Sequence, residues 1–153
     1  MRLLGAALLL PAGCSAGTGP APALRVMAAL DRPQVAVGDT VTILVEAVNA
    51  GDRALRVPGG GGEAFLEVRD ARGRVVEFGR RVGPTIMLGY PPRMLGPGER
   101  LSDRPRWAGE LQAPAGAVAA PGVYQVRAAI PVVDGDRRGY AYSNAVELRL
   151  TAP

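Results

Sequence analysis

The chain of 153 residues contains no histidine, no lysine and a single cysteine; all 18 of its basic residues are arginine. The missing imidazole removes the general base of His-dependent catalytic triads and the commonest metal ligand. One cysteine excludes an internal disulfide. Aromatic residues make up only 5% of the chain, and the formal charge is a modest +4. Basic residues never run longer than the pairs Arg80-Arg81 and Arg137-Arg138. They alternate with apolar residues and do not form the stripe that marks a nucleic-acid-binding face. No nucleic-acid partner is expected, and no cofactor. Also missing is any apolar run near the roughly 20 residues that a bilayer-spanning helix needs.

What the chain has in excess is glycine and proline, 21 and 14 of them, or 35 of 153 residues. These are the two poorest helix formers, so a helical bundle is excluded. An apolar fraction of 48% argues against disorder throughout. The length suits one domain.

The first residues read as an address. Met1-Arg2 is a short positive start, and Leu3 to Leu10 is an apolar stretch followed by the small residues around Cys14. That order fits a secretory signal. Pro11-Ala12-Gly13-Cys14 resembles the lipoprotein box of bacterial envelope proteins, with Pro11 where that family usually has an aliphatic residue. The resemblance implies palmitate-type acylation on Cys14, which becomes the new N-terminus, and a membrane as partner through the lipid anchor. Ser15, not Asp, after the cysteine implies the outer membrane in a Gram-negative cell. The organisation expected is a signal peptide over 1–13, a tether over 14–23 and one folded domain over 24–153. The alternative is cleavage at Ala21-Pro22-Ala23, which would release a secreted domain.

From Leu24 the pattern is strands and turns. Leu24, Val26, Ala28 and Leu30 alternate with Arg25, Met27 and Ala29. Thr40 to Asn49 puts Val41, Ile43, Val45 and Ala47 on one face, and its β-branched residues suit a pleated, half-buried surface. Further strands are expected at Val35 to Val37, Ala54 to Val57, Ala64 to Asp70, Arg74 to Phe78, Arg100 to Trp107, Val123 to Val133 and Asn144 to Thr151. Asp70-Ala71-Arg72-Gly73 and Asp134-Gly135-Asp136 read as turns. Gly79 to Met94 reads as one long irregular loop. Seven to nine short antiparallel strands predict an all-β sandwich.

Gly38-Asp39-Thr40-Val41, Asn49-Ala50-Gly51, Leu95-Gly96-Pro97-Gly98-Glu99, Pro121 to Val126 and Ser143 to Val146 together resemble bacterial immunoglobulin-like domains. The resemblance implies an immunoglobulin-like β-sandwich in which Tyr124 is a corner tyrosine, its hydroxyl bonded to the chain just upstream. A narrower resemblance, carried by Phe65 to Phe78, Leu95 to Glu99, Trp107 and Pro121 to Val126, is to the intracellular proteinase inhibitor family.

Little points to catalysis. Glu63 with Glu67, and Asp134 with Asp136, read as solvated carboxylates. Gly59 to Gly62 lacks the Lys-Ser/Thr pair and following helix of a phosphate-binding loop. Trp107 reads as core. The loop over 79–94 is the candidate contact site, with Ile86, Met87, Leu88 and Tyr90 at its centre and Arg80, Arg81 and Arg93 on its rim. Loops on rigid sandwiches commonly carry binding. The expected function is a non-catalytic, lipid-anchored binding or structural module of the cell envelope with a possible protein partner. The alternative is a proteinase inhibitor that uses the 79–94 loop.

Overall fold

The computed structural model describes residues 23–59, 64–79, 91–111 and 117–153. Cys14, Glu63 and the loop residues Arg80, Arg81, Ile86, Met87, Leu88 and Tyr90 lie outside them. The described residues form twelve strands and no helix. One sheet has four strands: β1 (Leu24–Leu30), β3 (Val41–Asn49), β8 (Arg100–Asp103) and β9 (Arg106–Trp107). The other has eight: β2 (Gln34–Ala36), β4 (Leu55–Val57), β5 (Phe65–Arg69), β6 (Val75–Gly79), β7 (Arg93–Leu95), β10 (Gly122–Asp134), β11 (Arg137–Tyr142) and β12 (Val146–Thr151). Neighbours run antiparallel except β2 and β12.

The two sheets stack on one hydrophobic core, an all-β immunoglobulin-like sandwich. The alternation expected along the chain is what buries it. Val41 and Ile43 are fully buried, with Val45 and Ala47 nearly so, and Val126, Ala128, Ile130 and Leu148 line the opposite sheet. The strand segments outnumber the seven to nine expected because long rows are broken. β8 and β9 lie along the same strand, β3, and are separated by Arg104-Pro105, where Pro105 still accepts from the Ile43 N–H at 2.9 Å. β11 and β12 share β10 as partner in the same way, with a break at 143–145.

Two strands were not expected. β7 falls inside the stretch read as irregular, and β11 in a stretch assigned no strand. In β11 the large residues face outward and only Ala141 turns to the core, so its pattern inverts that of a half-buried strand. The hairpin turn at Asp70 to Gly73 is as expected. Gly73 donates its N–H to the Asp70 carbonyl at 2.8 Å and adopts φ +76, which a residue with a Cβ rarely takes.

β10 is the axis of the large sheet. Ala128 exchanges hydrogen bonds with Ser143, whose N–H reaches the Ala128 carbonyl and whose Oγ accepts from the Ala128 N–H, both at 2.9 Å. The even-numbered backbone groups of β10 therefore face β12 and β11, and the odd-numbered ones face β5 and β4. Pro131 takes an odd position between the end of the β5 ladder at Ala129 and the β4 contact at Val133. Its missing donor falls in that gap, where a ladder bond is not lost.

Polar side chains tie the layers together. Asn144 accepts from the Ala28 N–H at 2.9 Å and donates to the Ala28 carbonyl at 3.1 Å, so it closes the outer edge of β1 against the other sheet. Asp103 accepts from the Ala64 N–H at 2.8 Å. Tyr124 donates its hydroxyl to the Ala120 carbonyl at 2.8 Å, which makes it the corner tyrosine the resemblance implied. Trp107 is core, 1% exposed, edge-on to Tyr124 and bonded through Nε1 to the Glu110 carbonyl.

Asn49 is the most heavily used of these groups. It is fully buried; Nδ2 donates to the Arg53 carbonyl at 2.7 Å and the Leu95 carbonyl at 2.8 Å, and Oδ1 accepts from the Gly51 N–H at 3.0 Å. Three segments meet on one amide. Asn49→Ala would take a partner from the buried Leu95 carbonyl and from the part-buried Arg53 carbonyl and Gly51 N–H, an expected loss of about 3 kcal/mol of stability. Urea unfolding measures this, and a loss below about 1 kcal/mol would show that water replaces the amide.

Candidate functional site

The period-two geometry that sends Leu66, Val68, Val126, Ala128, Ile130 and Ala141 inward sends their neighbours out. On the outer face of the large sheet this places Phe65, Glu67 and Arg69 on β5, Arg127 and Ala129 on β10, and Tyr140 and Tyr142 on β11. Register aligns them. Ala129 lies between Phe65 and Tyr142, and Glu67 lies between Phe78 of β6 and Arg127.

Four aromatic rings gather there. Phe65 and Phe78 are nearly parallel with centroids 6.3 Å apart, and Tyr140 meets them edge-on at 6.0 and 5.6 Å. Tyr142 is tilted against Tyr140 at 6.2 Å. A methyl group at position 129 lets bulky rings converge above the strand, and Ala129 is fully buried although it faces outward. Tyr140 and Tyr142 remain 45% and 42% exposed. The chain has seven aromatic residues, two Phe, four Tyr and one Trp, so more than half of them stand on this face.

Beside the rings runs a charged row. Arg127 Nε donates to Glu67 Oε1 at 2.8 Å and its Nη2 to Oε2 at 3.1 Å, while Arg69 Nε donates to Oε1 at 2.6 Å. The Arg127 guanidinium carbon lies 4.0 Å from the centroid of Tyr142, a cation–π contact. Glu67 is only 4% exposed. It is therefore not the solvated carboxylate expected from the sequence. Burial pushes its pKa up, but the hydrogen bonds and charges of Arg127 and Arg69 together outweigh burial and hold it below its ordinary value.

Of the residues expected to form the contact loop, Arg93 alone is described. It stands exposed on β7, and its Nη2 donates to the Arg100 carbonyl on β8 at 3.2 Å. It is not part of the aromatic face. Sequence reasoning missed Phe65, Phe78, Arg127, Tyr140 and Tyr142. The available signal was Tyr140-Ala141-Tyr142, where alternation puts the large rings and the small residue on opposite faces.

Two shallow hollows open at the end of the sandwich where the described chain begins. One, of about 180 Å³, is lined by Leu24, Leu55, Val132, Asp134, Arg137 and Arg138 among others. The second, of about 170 Å³, lies beside Ala23, Gly51, Asp52 and Arg53. Among the described residues no three metal-ligating side chains come together. Asp134 and Asp136 are exposed at a hairpin tip.

No protein-family profile matches the chain, and no characterised protein does at significant similarity. Solved structures share the fold. The sporulation control protein Spo0M from Bacillus subtilis is similar with a TM-score of 0.50 at 11% identity, over 86% of this chain and 50% of that one. The C-terminal domain of wzt gives 0.50 at 10% identity, over 85% of this chain and 71% of that one. A β-glucosidase from Erythrobacter marinus gives 0.49 at 18% identity over 84% of this chain. This chain spans 15% of that enzyme's length. At such identities the first two likenesses show a shared fold and nothing of activity.

The ion-paired row makes a pH prediction. Glu67 has its folded pKa lowered, so its contribution to stability is complete above the unfolded value near 4.5 and is lost as pH falls through the lower folded value. Wild type should be more stable than Glu67→Gln at pH 7, and the gap should shrink steadily as pH falls below 4.5. Urea unfolding of both proteins from pH 7 to pH 3 reads it; a gap independent of pH would show that the carboxylate charge is not what stabilises the row.

Proposed function

We propose that this chain is a non-catalytic binding module of the cell envelope, held to a membrane by a lipid on Cys14, whose contact surface is the outer face of the eight-stranded sheet. The observation that carries the reading is where the aromatic residues are spent. A chain this poor in aromatics gains most stability by burying them in the core. Among the described residues only Trp107 and Tyr124 are used in that way. Tyr140 and Tyr142 instead keep more than two fifths of their surface in water. Tyrosine and arginine beside one another are the residue types that dominate binding energy at interfaces.

The anchor rests on the leader and on the small residues before Cys14. The end of the sandwich nearest Ala23 also carries the turn at Gly51 to Arg53 and the hairpin tip at Asp134. A chain arriving at that end from a membrane leaves the broad sheet faces free to meet a partner.

Two experiments test the reading. Cells grown with an alkyne-bearing palmitate are expected to label the wild-type chain and not Cys14→Ala; an unlabelled wild-type chain overturns the anchor. For the contact face, purified Cys14→Ala protein is expected to cosediment with isolated cell envelopes. Adding Tyr140→Ala and Tyr142→Ala should weaken that association by about tenfold. Equal sedimentation of the two proteins would remove the face from the function.

A further inference from the structure

We infer that the partner of the outer sheet face is an acidic polysaccharide, a hydroxyl-rich chain bearing carboxylates; this rests on the binding-module reading above. The first argument is charge. Arg56, Arg69, Arg127, Arg138 and Arg149 face outward on this sheet with Glu67 and Glu147 among them, five positive charges against two negative, or +3. Glu67 is buried and fully engaged by Arg69 and Arg127, so it offers no acceptor to a partner. Arg56 and Arg138 flank Val133 on neighbouring strands, and both are exposed. The face therefore presents donors and positive charge, which complements an anion-bearing chain.

The second argument is the state of the rings. Arg127 lies on one face of Tyr142, and Tyr140 already packs edge-on against both phenylalanines. A nucleic-acid base stacking between these rings would have to break those contacts. A sugar chain lying across them would not, because it can pair hydroxyls with the tyrosine hydroxyls and set its C–H surfaces on exposed ring carbon. The third argument is placement. Ala23 and Leu24 border the hollow at one end of the sandwich, which Arg138 and Tyr140 also line, whereas Tyr142 and Arg127 lie farther along the broad side from the Asp134 tip. An anchored domain would present Tyr142 and Arg127 to polymers alongside it, with Arg138 and Tyr140 nearer the anchored end.

The test is affinity electrophoresis and calorimetry with the full chain carrying Cys14→Ala. The probes are polygalacturonate, neutral dextran, single-stranded polyuridylate and vesicles containing anionic phosphatidylglycerol. Retardation by polygalacturonate is expected, with none by dextran. Tyr140→Ala/Tyr142→Ala should weaken it about tenfold. Because that variant loses ring contacts, its thermal transition is measured alongside. Arg138→Gln, at an exposed position, provides a second variant that should bind several-fold more weakly and with a shallower salt dependence.

No binding of polygalacturonate overturns the inference, as does binding that Tyr140→Ala/Tyr142→Ala and Arg138→Gln both leave unchanged. Tighter binding of polyuridylate or of the vesicles overturns it in favour of that partner. The two readings fail separately: Cys14→Ala protein that sediments with envelopes through Tyr140 and Tyr142 but ignores polygalacturonate overturns the glycan alone. Failure in both assays overturns the module as well.

Discussion

The structure depends on the two-sided pairing of β10. Its thirteen residues, Gly122–Asp134, pair directly with four strands of the large sheet, and β2, β6 and β7 join through those. On one side they take β12 and then β11, and on the other β5 and then β4. No disulfide can brace the domain, since the chain has a single cysteine. The sheet must therefore be held by backbone ladders and the core beneath them. β10 contributes to both, with Val126, Ala128 and Ile130 fully buried. The same strand sends Arg127 and Ala129 outward, so the candidate contact face is built on the most constrained element of the fold.

Ladders hold each sheet but do not join one to the other. Apolar packing does most of that, being non-directional and proportional to buried area. Direction comes from a few amides and carboxylates. Asn144 fits the backbone of Ala28 as a strand would, Asp103 caps the Ala64 N–H, and Asn49 gathers three segments. Each would cost free energy if buried unpaired, and each is bonded. Such groups fix how two apolar faces are set against each other, which packing alone leaves loose.

Much of this was legible in the sequence because burial on one face leaves a period of two. Val41 to Ala47, Tyr124 to Ile130 and Val146 to Leu150 all follow it, and so does the sandwich. The corner tyrosine was readable only through the resemblance to immunoglobulin-like domains, which implied one at Tyr124. The contact face was not. Alternation was read as apolar-in and polar-out, and β11 reverses it, with Tyr140 and Tyr142 out and Ala141 in. Glu67 misled in the same way: a carboxylate on an outward strand position reads as solvated until its two arginines are placed by register. Arg127 is 60 residues from Glu67 along the chain, and no local pattern pairs them. Sequence attention went to the 79–94 loop because its apolar residues lay outside any strand, yet the described part of the molecule puts its exposed aromatics on the sheet.

An aromatic cluster on a sheet face has a plain structural use, since cross-strand ring pairs stabilise a ladder. Phe65 and Phe78 satisfy that use, being half-buried and packed together. The tyrosines go beyond it. A phenylalanine at position 140 would make the same edge-on contacts, to which the hydroxyl contributes nothing. Arg127 is held at three points: two bonds to Glu67 and the ring of Tyr142. A long side chain fixed in this way has already lost the rotamer freedom that binding would otherwise remove, so a partner of the proposed kind would meet a surface ordered in advance. Half-exposed tyrosines on β11 and a locked guanidinium on β10 are a costly arrangement for a solvent-facing surface, and a contact of the kind proposed would offset it.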